Sequence, residues 1–168
     1  MPYVNAVSLP GGHIVIFSGL LDVTTSENEL AFVLGHEIGH YAQRDHLKGL
    51  GRGLIFVFIS TLLFGNDNSL ADFITQWVKI TDLNFSQKAE ERADQFGADI
   101  LNCFYGHAAG GSSFLRKMLS VEDQEKIPHF YSTHPETRLR IKKLDKYAEK
   151  KGYVSGELTE DHEDSDEK

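Results

Sequence analysis

Apolar positions along this chain follow two periods, and the switches between them mark its elements. From Gly12 to Phe17 the run His13-Ile14-Val15-Ile16 is β-branched and apolar, which predicts a strand. Further on, Leu30, Val33, Leu34, Ile38 and Tyr41 recur at helical spacing behind Ser26 and Glu29, a capping-box pair. A helix from about Ser26 to about Lys48 is expected there. A second helical stretch opens near Ser86, with Ala89, Ala93, Phe96, Gly97 and Ile100 along one face. A last helix is expected from Pro135 to about Lys151, with proline at its first position. Leu54–Phe64 is apolar and uncharged but shorter than the roughly 20 residues a membrane span needs. It reads as a core helix; the alternative is a membrane-contacting or substrate-covering hairpin, with Leu70–Val78 as its partner across a turn at Gly65–Asn68. Together these elements predict an α+β fold, predominantly helical, with a small edge-strand sheet.

Length and charge change that picture only at its ends. With 168 residues the chain has room for one domain with a real core, expected over residues 1–154. Much of the net charge of −8 falls in the stretch Glu157–Glu167, so residues 155–168 are expected to form an acidic, disordered tail. No basic stripe accompanies this balance, which argues against a nucleic-acid partner. The single cysteine, Cys103, excludes an internal disulfide and fits no zinc-finger spacing; it reads as a small buried hydrophobe.

The chemistry is concentrated in His36-Glu37-Ile38-Gly39-His40. Residues four apart on a helix lie one above the other, so both imidazoles can reach one zinc ion. Glu37, one residue round the helix, can serve a water on that ion and not the ion itself. Gly35 and Gly39 each cost about 1 kcal/mol of helix propensity against Ala, a cost explained if another backbone passes close to the ligands. A catalytic zinc usually has a third protein ligand and an open position. His46 is one candidate, but a continuing helix points it away from the His36–His40 face. Glu90 is the better one and Glu91 its rival. Asp94, one turn after Glu90, can accept a hydrogen bond from the second ring nitrogen of a ligating histidine and fix its tautomer. His134 precedes a proline and so belongs on the loop before the last helix. There it can donate to an oxyanion or stand as a fourth zinc ligand in a latent state. Arg140 is read either as a group that binds substrate or stabilises charge, or as a tether to an acidic partner. Tyr131, His13, His107 and His129 read as surface or packing residues, with a second oxyanion donor as the alternative for Tyr131. The strand near Gly12–Phe17 either binds an extended substrate along its edge or is a buried hairpin strand.

Several blocks in one order carry a resemblance. Asn5-Ala6-Val7-Ser8-Leu9-Pro10-Gly11-Gly12 with His13–Leu21 comes first, then Glu29-Leu30-Ala31 leading into Gly35–His40. Glu90 and Asp94 follow, and then Ser132-Thr133-His134-Pro135 with Arg140-Ile141. Over most of its length the chain resembles the M48 zinc metallopeptidases, the HtpX-, Ste24- and BepA-like gluzincins. The resemblance implies a zincin-like catalytic domain, one zinc on His36, His40 and Glu90, and Glu37 as general base. It also implies an endopeptidase acting on misfolded or membrane-associated polypeptides, bound in extended form. Membrane contact through Leu54–Phe64 and a cell-envelope location, membrane-associated or periplasmic, are expected on the same ground. Asp45 departs from the family pattern, standing where a histidine is often found. The opening Met1-Pro2 leads straight into core-like sequence, which reads as a catalytic fragment. The rival reading from another class is a non-catalytic, zinc-stabilised, chaperone-like binding module. Structural zinc sites are usually cysteine-rich, and such a module has no need of Glu37.

Overall fold

The computed structural model describes residues 4–9, 11–45, 47–48, 51, 85–122, 134, 137–154 and 156–159. Strands β1 (Ala6–Leu9) and β2 (His13–Ile16) form an antiparallel hairpin, pairing Ala6 with Ile16 and Leu9 with His13. Helices α1 (Ser18–Val23), α2 (Glu27–Ala42), α3 (Gln87–Tyr105), α4 (Gly111–Glu122) and α5 (Thr137–Lys151) follow. The described residues are thus mostly helical, with one two-stranded sheet. β1, which the apolar pattern did not single out as a strand, packs its inner side on α2, and β2 is the more exposed of the pair. Of the two readings of this strand, the buried hairpin strand is not what is seen: β2 is a hairpin strand with an open face.

α2 begins where the capping pair places it. Ser26 Oγ accepts from Glu29 N at 3.2 Å. The Glu29 carboxylate reaches one residue further back than a capping box requires, accepting from Thr25 N at 2.9 Å. The helix ends at Ala42, short of the expected Lys48, because Arg44 turns the chain with φ of +55°. Ser86 caps α3 in the same way, its Oγ accepting from Ala89 N at 3.3 Å. The last helix is seen from Thr137; Pro135 lies outside the described residues, as do His46, His129, Tyr131, Leu54–Phe64 and Leu70–Val78.

α2 and α3 make the tightest pairing of the fold, and the glycines explain why. A Cβ on Gly35 would stand 2.9 Å from Gly97 Cα, and one on Gly39 would stand 3.0 Å from Ala93 Cα. The second backbone anticipated from Gly35 and Gly39 is α3, and its closeness carries Glu90 and Asp94 up to the two histidines. Phe32, Val33, Ala98, Leu101, Phe114, Leu115, Met118 and Leu144 close the core behind this pair. One expectation at the periphery needs correction. Cys103 is exposed, since it lies on the outer face of α3 beside the exposed Phe104 and off the face that carries Leu101 into the core. The chain after residue 155 is held at its start: Thr159 N donates to Asn28 Oδ1 at 2.6 Å and Thr159 O accepts from Glu27 N at 3.2 Å. Residues 160–168 lie outside the described residues.

Candidate metal centre

His36 and His40 project from consecutive turns of α2, and their Nε2 atoms stand 3.0 Å apart. Glu90, from the first turn of α3, brings Oε1 to 3.2 Å from His40 Nε2 and Oε2 to 3.6 Å from His36 Nε2. All three side chains are buried. The outer nitrogens face carboxylates: His36 Nδ1 lies 2.9 Å from Asp94 Oδ1, and His40 Nδ1 lies 3.3 Å from Asp45 Oδ2. An ionised carboxylate only accepts, so each Nδ1 carries the hydrogen and each Nε2 is turned inward. Two neutral rings so placed would set lone pair against lone pair. A positive charge between them, a proton or a metal ion, removes the conflict.

The electrostatics agree. Burial pushes the His36 imidazole below its ordinary value, with the Asp94 bond a partial offset. Burial would lower His40 as well, but the bonds to Asp45 and Glu90 outweigh it and hold it up to about 9. Burial works against the charged forms of Glu90 and Asp94 too. Interactions with His134 and Arg140 for Glu90, and with Arg140 for Asp94, outweigh it and keep both carboxyls well below the usual carboxylate range.

The donor set suits zinc. An ion about 2.0–2.1 Å from each of its tetrahedral donors sets them roughly 3.3 Å apart; the two Nε2 atoms stand 3.0 Å apart, and each has its own Glu90 oxygen at a similar distance, Oε1 3.2 Å from His40 and Oε2 3.6 Å from His36. Glu91, the rival third ligand, points elsewhere: it is half-buried and paired with Lys143 at 2.8 Å. His134 joins the cluster, its Nδ1 3.1 Å from Glu90 Oε2 and 3.3 Å from His36 Nε2. Ligand atoms of His36, His40, Glu90 and His134 all lie within 4.8 Å of one another. Glu37 is buried beside them, with Oε1 3.6 Å from His134 Nε2. It borders a small cavity together with Ala6 of β1, His36 and Arg140, so the hairpin adjoins the site.

Arg140 is 4% exposed and its guanidinium is spent on the cluster: Nε and Nη2 on Asp94 at 2.9 and 2.6 Å, Nη1 on Glu90 at 2.8 Å. Of its two readings from sequence, the tether is the one these contacts support. Two residues at the site were not picked out from sequence as parts of it. Asp45 was noted only as a departure, and its bond to His40 depends on where α2 stops. Phe85, just before the Ser86 cap, stacks on His40 with ring centroids 4.0 Å apart; an aromatic beside a capping residue carries no signal of that kind.

The chain was compared with known proteins. The family model described as peptidase family M48 matches residues 1–148. The mitochondrial metalloendopeptidase OMA1 of Arabidopsis thaliana is 33% identical over 144 residues, 85% of this chain and 29% of the relative. Its human counterpart is 32% identical over 161 residues, 86% of this chain and 30% of the relative. The metalloprotease LoiP of Escherichia coli is 29% identical over 146 residues, 84% of this chain and 57% of the relative. The chain thus spans less than a third of these two OMA1 relatives and just over half of the bacterial one.

Proposed function

The chain belongs to peptidase family M48, and we propose that it is a zinc-dependent metalloendopeptidase domain with a zincin-like active site. The observation that carries this reading is the convergence of His36 Nε2, His40 Nε2 and Glu90, each histidine tied at Nδ1 to a carboxylate. When bound, zinc supplies Lewis acidity, polarising a scissile carbonyl and acidifying a water. Glu37 takes the proton of the attacking water and passes it to the leaving amine. Arg140 and Asp94 hold Glu90 and His36 in place. His134, beside Glu37, donates to the oxyanion. The substrate is an extended polypeptide added to the exposed side of the hairpin, whose β1 packs on α2, the helix that carries Glu37; main-chain pairing of this kind gives little sequence preference. Misfolded or membrane-associated polypeptides at an envelope membrane are the proposed substrate class. No described helix is long and apolar enough to cross a membrane.

Elemental analysis of protein purified without chelator tests the ligand set. Close to one zinc per chain is expected, lost in His36→Ala. Glu90→Gln should weaken zinc affinity by at least about tenfold, while Glu91→Gln, a change at a half-buried ion pair with Lys143 outside the cluster, leaves it alone. The reverse order would move the ligand by one residue.

A second reading is favoured by the place of His134. Its Nδ1 sits within the ligand cluster, where it can close the fourth position and keep the peptidase latent. In that case His134→Ala raises peptide hydrolysis. If His134 supports the oxyanion instead, the same variant loses about 10²–10³ in kcat.

A further inference from the structure

We propose that Asp45 is a positioning residue for the metal centre, set beside His40 by a left-handed turn at Arg44, and that it fixes the His40 ring as Asp94 fixes the His36 ring. The proposal rests on the reading of His36, His40 and Glu90 as zinc ligands.

The geometry of the helix end is the first ground. Asp45 is five residues past His40, and on a continuing helix it would point about 140° away around the axis. It reaches His40 only because α2 stops at Ala42 and Arg44 takes φ of +55°. A left-handed conformation is unfavourable for a residue with a side chain, and such strain persists where the surroundings hold it. The adjacent gain is the bond from His40 Nδ1 to Asp45 Oδ2 at 3.3 Å.

The second ground is what holds Asp45. It is buried, yet its other oxygen accepts from Arg92 Nη2 at 3.2 Å and from Lys48 Nζ at 3.0 Å. Arg92 lies on α3 between Glu90 and Asp94 in sequence. One helix therefore supplies a candidate ligand directly, fixes His36 through Asp94, and fixes His40 through Arg92 and Asp45. Both imidazoles are then oriented by buried carboxylates, and both Nε2 atoms face Glu90. Partners of this kind raise the ligand's basicity and set its ring orientation.

The test uses the full chain and its Asp45→Ala, Asp45→Asn and Arg44→Gly variants. Zinc affinity is read by competition with a chromophoric chelator, the visible spectrum after loading with cobalt(II), and the unfolding midpoint of the metal-free protein. Asp45→Ala should bind zinc about 10–100-fold more weakly and show an altered cobalt spectrum. Asp45→Asn keeps an oxygen for Nδ1–H but not the charge, so it should fall between Ala and the parent, and it carries the test if the alanine variant does not fold. Arg44→Gly should bind zinc as the parent does and unfold at a higher temperature, since glycine takes the left-handed turn without strain. The proposal is overturned if both Asp45 variants keep the parent's cobalt spectrum and bind zinc within about threefold of it, well short of the usual loss for such partners. A lowered midpoint with unchanged affinity overturns it equally, by making Asp45 a purely structural residue. A parent chain that takes up no zinc refutes the ligand reading itself, a different failure read in the same titration.

Discussion

Glu37→Gln should leave one zinc per chain in place and reduce peptide hydrolysis by about 10²–10⁴-fold, the range for loss of a general base. The substitution keeps the shape of the side chain, which is 3% exposed, and removes only its ability to accept a proton. Glu37 is next to His36 in sequence but turned about 100° around α2, so it flanks the ligand cluster and does not enter it. Its carboxylate faces the side from which His134 Nε2 approaches at 3.6 Å, where a water and a scissile bond would meet. Zinc content and turnover of an unfolded protein substrate, measured on the same preparation, separate the two effects. Undiminished turnover in a zinc-loaded variant would end this mechanism, and loss of the metal would mean that Glu37 belongs to the ligand set.

How much of this site was legible in the sequence depends on how local each contact is. His36 and His40 share a face because four residues nearly complete a helical turn, and that needs no tertiary information. Glu90 and Asp94 required one long-range step, the pairing of α2 with α3. The step left a trace in Gly35 and Gly39, whose missing side chains are what let Gly97 and Ala93 approach. Asp45 left no comparable trace. No glycine or proline follows between Ala42 and Lys48, so the expected helix overshot its end, and the turn at Arg44 comes from a residue that does not ordinarily favour positive φ. β1 was missed as a strand for a related reason: its four residues are too few for alternation to declare itself, and only pairing with β2 defines it. Cys103 was misplaced because a small apolar residue on a helix is buried or not according to its face, and the face was fixed by packing.

Arg140→Leu should destabilise the metal-free chain by about 3–5 kcal/mol at neutral pH, the cost of stranding buried charge. The guanidinium is the shared partner of Asp94 and Glu90, at 2.6 and 2.8 Å, and links α5 to α3. Burial opposes ionisation of both carboxyls, and Arg140 is a leading reason that they nevertheless stay below the usual carboxylate range. Groups with depressed folded pKa values contribute stability that is full above their unfolded values, about 4, and is lost as pH falls through the folded ones. Without Arg140 that depression shrinks, so the gap between parent and variant should be widest near pH 7 and should narrow below about pH 4, where the carboxyls take up protons. Zinc should restore part of the loss, because a cation on Glu90 replaces the positive charge removed from its neighbourhood. Urea unfolding of the metal-free and zinc-loaded proteins at pH 7 and at acid pH reads all three effects. A metal-free variant within about 1 kcal/mol of the parent at pH 7 would show that Arg140 contributes no more than an exposed ion pair. The rigidity of Glu90 would then have to come from the packing of α3 against α2 alone.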